Sequence, residues 1–272
     1  MMAESYLRHF GLAKAPFCKD VADADLWLPS SKQEVVDELV EAVECRESVA
    51  VIGEPGVGKT CVLRALRHRL STERFRLTYC HNATLGRRDF YRQLCLAMGL
   101  SPSATAAAVF YAVSTHVQEL GRDKIHPIFL LDEAHLLHHD TFGHLHILLN
   151  YEWDSSPLLS IILVGLPELR DRLEMRRNRS LYSRLQRRLA IEPTTAEDTA
   201  EYLRYRLKLA GTDKEVFTTD AVTVLHEAAL GALRDLDRVA TASLRIATRR
   251  KRKLVERDVV TDAIALDAPS SA

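Results

Sequence analysis

Apolar positions along this chain arrive in two rhythms. Short unbroken runs recur: "SVAVIG" at 48–53, "PIFLL" at 127–131 and "LLSIILVG" at 158–165. Each is short for a helix and too apolar for a strand with one face in water. The pattern therefore predicts strands buried on both faces, as in a parallel sheet. "FRLTYCHN" from Phe75 predicts a further strand, and "RLAIEP" (188–193) a short fifth. Between these runs the period lengthens to that of amphipathic helices, over Ser31 to Glu44, after Lys59, near 87–99 and over 104–120. Beyond residue 193 strand signals stop. Helical periodicity continues to the end, broken at Gly211 and Gly231, with Thr219 as the expected N-cap. The opening "YLRHFGLAKAPF" has Pro16 and a spacing that favours no helix.

Strands alternating with helices, then helices alone, predict an α/β three-layer αβα parallel sheet followed by a helical lid. The expected divisions are a lead-in (1–47) packing on the core, a core domain (48–192) and a lid (193–272) whose tail "APSSA" is disordered.

Composition narrows the setting. With 47% apolar and 27% charged residues over 272 positions, the chain has the ordinary globular profile. Net charge is zero, so any binding of nucleic acid must come from local patches or from many subunits together. The cysteines Cys18, Cys45, Cys61, Cys80 and Cys95 are odd in number and form no Cys-x-x-Cys pair, which fits a reducing cytosol rather than a disulfide framework. No secretory leader and no apolar run of about 20 residues is found, so a cytoplasmic protein outside the membrane is expected.

The chemistry concentrates at two strand ends. Gly53-Glu54-Pro55-Gly56-Val57-Gly58-Lys59-Thr60, with Cys61 next, matches G-x-x-x-x-G-K-[ST] in full. Glycines let backbone N–H groups turn inward around phosphate oxygens, and the following helix adds its positive end. Lys59 then reaches the β/γ-phosphates of ATP, and the Thr60 hydroxyl binds Mg²⁺. At ordinary glycine abundance a chance match in a chain of this size has odds of about one in a hundred, and this one lies between a strand and a helix. The second strand end is "PIFLLDE": Asp132 is placed to hold Mg²⁺ through its water shell, and Glu133 to polarise the attacking water. These are Walker A and Walker B.

Three other features compete for attention. Asp132-Glu133-Ala134-His135 spells a helicase box, but the roughly 140 residues that follow leave no room for a second helicase domain. His135, His138, His139, His144 and His146 include helical spacings known for zinc. A helix start at Asp140-Thr141 would split them and no cysteine is near, so solvated and packing histidines are expected. The most basic stretch, 170–188, carries Arg170, Arg172, Arg176, Arg177, Arg179, Arg184, Arg187 and Arg188. Most read as a solvated face, although an arginine here can reach a neighbouring subunit's nucleotide.

Taken with "YLRHFGLAKAPF", "LLNYEWDSSPLLSIILVGLPELRDRL" and "SRLQRRLAIEPTTAEDTAEYLRYRLKLAG", these motifs make the chain resemble AAA+ ATPases, in particular the module of ExeA-type secretion proteins and TniB/TnsC-type transposition ATPases. The resemblance runs from about Tyr6 to Asp267. It implies ATP hydrolysis to ADP and phosphate, with Arg184 as the candidate arginine finger and Arg187 and Arg188 as alternatives. It also implies Arg234 as the sensor 2 arginine of the lid. Leu166 departs from the pattern at sensor 1, where related modules often have glutamine, so turnover is expected to be slow or to use another polar group. ExeA-type proteins continue into a membrane span and a wall-binding domain, whereas a stand-alone module looks like the transposition ATPases. The implied behaviour is ATP-dependent assembly, as a ring or helical filament, on double-stranded DNA, with a transposase as partner. Candidate phosphate contacts are Arg87 and Arg88 and the run Arg249, Arg250, Lys251, Arg252 and Lys253. The rival expectations are a secretion or envelope-assembly ATPase, and a nucleotide-gated DNA scaffold with negligible turnover.

Overall fold

The computed structural model describes residues 2–80, 86–101, 105–151 and 155–267. The tail at 268–272, the end of "FRLTYCHN" and Asp154 lie outside the described residues. Contacts group the chain into two units: residues 31–54 with 62–191, and residues 1–30 with 55–61 and 192–272.

The first unit is built on five parallel strands, β1 (Ser48–Gly53), β2 (Phe75–Cys80), β3 (His126–Leu131), β4 (Ser160–Gly165) and β5 (Leu185–Ile191), in the order β2-β3-β4-β1-β5. The three inner strands are buried at every position, while the edge strands β2 and β5 mix buried with exposed positions. That division is what a sheet covered on both faces requires of its middle and its edges. On one face Ala50, Ile52, Phe129, Leu131, Ile161 and Leu163 enter a core shared with Phe90, Tyr91, Leu94, Val113 and Phe142. Val49, Val51, Ile128, Leu130, Ile162 and Val164, of opposite parity, are buried too. This is the α/β fold that the apolar runs predict, with β5 beginning three residues earlier than expected. The helices of this unit are α2 (Ser30–Glu44), α3 (Lys59–Arg69), α4 (Arg87–Ala97), α5 (Ala106–Arg122), α6 (His139–Leu148), α7 (Glu168–Glu174) and α8 (Arg179–Tyr182). α3 starts in residues grouped with the other unit.

The second unit gathers α1 (Met2–Phe10), α9 (Ala196–Leu209), α10 (Thr219–Ala229), α11 (Leu233–Arg249) and α12 (Arg257–Asp267). Its core joins Tyr6, Phe10, Leu12, Phe17 and Trp27 to Tyr202, Leu207, Leu236 and Leu244. The lead-in therefore divides near Ser30 instead of running intact to residue 47, and its first part lies against helices after Ile191. Buried Arg206 fastens it: Nε donates to the Pro16 carbonyl at 2.7 Å and Nη2 to that of Cys18 at 2.6 Å. The opening residues also form a helix that the spacing does not announce. Tyr6 and Phe10, one turn apart, bury together. Gly11 at φ +70° closes the helix, with Leu12 N–H returned to the Leu7 carbonyl at 2.8 Å. The N-cap of α10 is Thr218 rather than Thr219: its hydroxyl accepts from Ala221 N–H at 3.2 Å. Among the described residues, no helix is long and apolar enough to cross a membrane.

Candidate functional site

β1 runs straight into the glycine-rich loop. Gly53 is its last residue, Glu54 and Pro55 are exposed, and Val57 is fully buried and anchors the turn. Gly56 and Gly58 hold φ of +80° and +104°, a region side chains rarely enter. Two glycines in this conformation, with Val57 between them, let the loop turn N–H groups toward one concavity, the geometry that receives phosphate. α3 then begins at Lys59. Lys59 is half-buried, Thr60 exposed and Cys61 half-buried, with Cys61 N–H donating to the Gly58 carbonyl at 2.9 Å.

Arg234 is brought to this loop. Its backbone N–H donates to the Gly56 carbonyl at 3.4 Å. A Cβ placed on Gly56 would stand 3.2 Å from the Cβ of Arg234 and 3.4 Å from that of Ala232. The first turn of α11 and the glycine loop are thus in van der Waals contact within one unit, and the exposed Arg234 side chain starts from that contact.

Asp132 and Glu133 follow the end of β3, in the other unit. Asp132 N–H donates to the Cys80 carbonyl at 3.0 Å. Its Oδ1 accepts from Glu133 N–H at 2.9 Å and its Oδ2 from the Tyr79 hydroxyl at 2.8 Å. Burial and the Asp132 carboxylate push the Tyr79 hydroxyl above its ordinary range, so it stays a donor. Glu133 occupies the left-handed region at φ 53°, ψ 35°, a strained place for a side chain of this size. Behind it, Arg172 grips the turn from α7, Nη1 donating to the His135 carbonyl and Nη2 to the Leu137 carbonyl at 2.6 Å.

The remaining candidates separate by their partners. Arg184 lies half-buried in the turn before β5, with Nη1 on the Ser180 carbonyl at 3.3 Å. Arg187 is bound to Glu41 at 2.9 Å and Glu47 at 2.6 Å, and these bonds raise its affinity for the proton and lower that of Glu41. Arg188 lies 3.9 Å over the Tyr182 ring. Of the basic run, Arg250 pairs with Asp258 and Asp262, Arg252 with Asp258 and Glu256, and Lys253 with the His9 carbonyl. Arg249 and Lys251 are exposed. Arg87 and Arg88 open α4, both exposed. The histidines divide: His138 accepts from Asp140 N–H at 3.3 Å, caps α6 and stays with His139 and Asp140, ligand atoms within 4.8 Å of one another, while His144 meets the Tyr91 hydroxyl at 2.7 Å and His135 accepts from Leu166 N–H at 3.4 Å.

Tyr79 and Arg172 escape the sequence reading. Tyr79 reaches Asp132 because β2 neighbours β3, and strand order is not written in a local pattern. Arg172 sits in a run of arginines that look alike until one of them meets carbonyls. The residue types suit the expected ligand unit by unit: glycines at positive φ for phosphates and the Thr60 hydroxyl in one, and the Asp132 carboxylate, a hard oxygen donor, in the other.

Residues 31–173 match the model of a family described as the AAA domain. General secretion pathway protein A of Aeromonas hydrophila is 29% identical over 259 residues, covering 93% of this chain and 47% of that protein. The chain therefore spans about half the length of the curated relative it matches. Among solved structures, Drosophila ORC bound to DNA aligns with a TM-score of 0.73 at 18% identity, over 98% of this chain and 67% of that one. The Aeropyrum pernix ORC1 protein in complex with DNA aligns with a TM-score of 0.66 at 21% identity, over 93% and 68%. At such identity these two establish the shared fold alone.

Proposed function

The chain belongs to the AAA domain family, and on that premise we propose that it binds ATP with Mg²⁺, assembles on double-stranded DNA, and regulates transposition by recruiting a transposase. The observation that carries the nucleotide part is the contact of Gly56 with the start of α11. A loop that wraps phosphates cannot rearrange without moving Arg234, so the state of the nucleotide is passed to the helices after Ile191. Hydrolysis then acts as a switch for assembly and release.

The loop N–H groups and Lys59 bind the phosphates, and Arg234 adds a cation from the same chain. Thr60 and Asp132 are the residues that would hold Mg²⁺, and the ion would supply charge neutralisation at the transferring phosphate. Glu133 accepts a proton from the attacking water. Arg184 serves a neighbouring subunit; the alternative Arg187 is bound to Glu41 and Glu47. For DNA, Arg87 and Arg88 at the exposed start of α4 and the 249–253 run, in which Arg250 and Arg252 pair with their own acids, both stand as candidate phosphate donors. Fold neighbours that bind DNA support this reading. The match to a general secretion pathway protein favours a second one, an ATPase serving envelope assembly with a membrane-bound client.

Negative-stain microscopy with duplex DNA separates them. Rings or filaments are expected with a slowly hydrolysed ATP analogue and not with ADP, lost in Lys59→Ala and persistent with ATP in Glu133→Gln. DNA left bare in both nucleotide states would end the transposition reading and leave the secretion one.

A further inference from the structure

Leu166 offers no polar side chain at the end of β4, but its backbone does engage a polar group. Leu166 N–H donates to His135 Nδ1 at 3.4 Å, and the same nitrogen stands 3.6 Å from Glu133 Oε2. We propose that His135 is the positioning residue through which the end of β4 governs Glu133, filling the place that residue 166 leaves without a polar side chain. This rests on the reading of Glu133 as the acceptor of the water proton.

The chemistry follows from one nitrogen having two exclusive partners. While Nδ1 accepts from Leu166 it carries no proton to give, and the ring proton is on Nε2. A gap of 3.6 Å between two acceptors is too long for a hydrogen bond. Glu133 therefore keeps its acceptor capacity, and its side chain remains 48% exposed while that of His135 is 10% exposed. In the other tautomer Nδ1 would release Leu166 and donate to Glu133, occupying the lone pair that water needs. The tip of β4 thus decides whether Glu133 is available.

The surroundings leave the ring little other freedom. The turn that carries it is held by Arg172 at the His135 and Leu137 carbonyls. Arg172 is fixed in turn, 4.6 Å over the Phe142 ring, with its own carbonyl accepting from Asn178 Nδ2 at 2.6 Å. On the β4 side, a Cβ on Gly165 would stand 3.3 Å from His135 N, so the two strand ends approach closely here. A histidine that only filled space would need none of this polar register.

The test compares variants of the full chain by steady-state phosphate release and by affinity for a fluorescent ATP analogue. His135→Leu is expected to lose about tenfold or more in kcat, with KM and analogue affinity held within about twofold. His135→Asn, whose Oδ1 takes the place of Nδ1, is expected to recover to within about threefold of wild type. Wild-type kcat in His135→Leu, or an equal loss in His135→Asn, would overturn the proposal. Should His135→Leu fail to bind the analogue, His135→Gln, whose amide reaches the Nε2 position instead, replaces it: slow turnover beside an active His135→Asn supports the role, and equal rates refute it. A wild-type protein that binds the analogue yet releases no phosphate would remove the hydrolase reading itself, and the role of His135 with it.

Discussion

Two turns end two parallel strands of the same sheet, and both need left-handed backbone. After β1 glycines supply it, Gly56 at +80° and Gly58 at +104°; after β3 a glutamate does, Glu133 at +53°. The difference follows what each turn presents. A phosphate loop offers its backbone, and a side chain at Gly56 would press on Arg234. The β3 turn offers a carboxylate, so the residue that takes the strain must keep its side chain. Strain of that kind persists only where neighbours fix it. Here they are Asp132 Oδ1 on the Glu133 N–H and Arg172 on the carbonyls that follow.

If the sheet holds the strained turn in place, weakening β3 should cost more than any single change within either turn. His126 opens that strand, buried, with Nε2 2.9 Å from Ser160 Oγ on β4. Burial and the Arg46 charge push its imidazole down to about 4. Above pH 6.5 it is neutral both folded and unfolded and adds no pH dependence. As pH falls below 6.5 the unfolded chain takes a proton that the folded one refuses, and stability drops by about 1.4 kcal/mol per pH unit until the folded value is reached. Denaturant unfolding at pH 7 and pH 5 should differ by about 2 kcal/mol from this residue, a difference that His126→Gln removes. An unchanged pH dependence in His126→Gln would show that β3 is not the acid-sensitive support.

Gly56→Ala probes the other turn. It combines a left-handed φ with a Cβ at 3.2 Å from Arg234, and should cost about 1–2 kcal/mol of stability. Affinity for a fluorescent ATP analogue should fall in the same variant, because loop and α11 must part to admit the methyl group. Loss of stability with full affinity would mean that the contact with Arg234 is packing and carries no signal.

The two turns also differ in how far the sequence exposes them. Gly56 and Gly58 are legible because only glycine tolerates their backbone, and the need is written as residue type. Asp132 and Glu133 are legible as carboxylates after an apolar strand, but the left-handed φ of Glu133 is not, since no residue type marks it. The choice among Arg184, Arg187 and Arg188 is likewise invisible locally. It depends on Glu41 and Glu47, some 140 residues earlier in the chain and folded back beside Arg187. α1 is missed for a related reason: its buried apolar residues are few, Tyr6 and Phe10 with Leu7 packed beside them, and it becomes a helix by burying them against elements near the other end of the chain.

The smallest expected effect is the most direct test of strain. In an unstrained position glycine is less stable than alanine by about 0.5–1 kcal/mol, because the unfolded chain gains freedom. At residue 133 the sign should reverse. Glu133→Ala keeps the left-handed φ with a Cβ, whereas Glu133→Gly removes the clash, so the glycine variant should be the more stable by about 1 kcal/mol. Neither should hydrolyse ATP, so the comparison isolates backbone from catalysis. If alanine proves the more stable, the turn after β3 is not strained, and the contrast with the glycine loop reduces to side-chain chemistry alone. If glycine does, the chain gives up about that much stability to hold a carboxylate where water can reach it, as functional sites are expected to do.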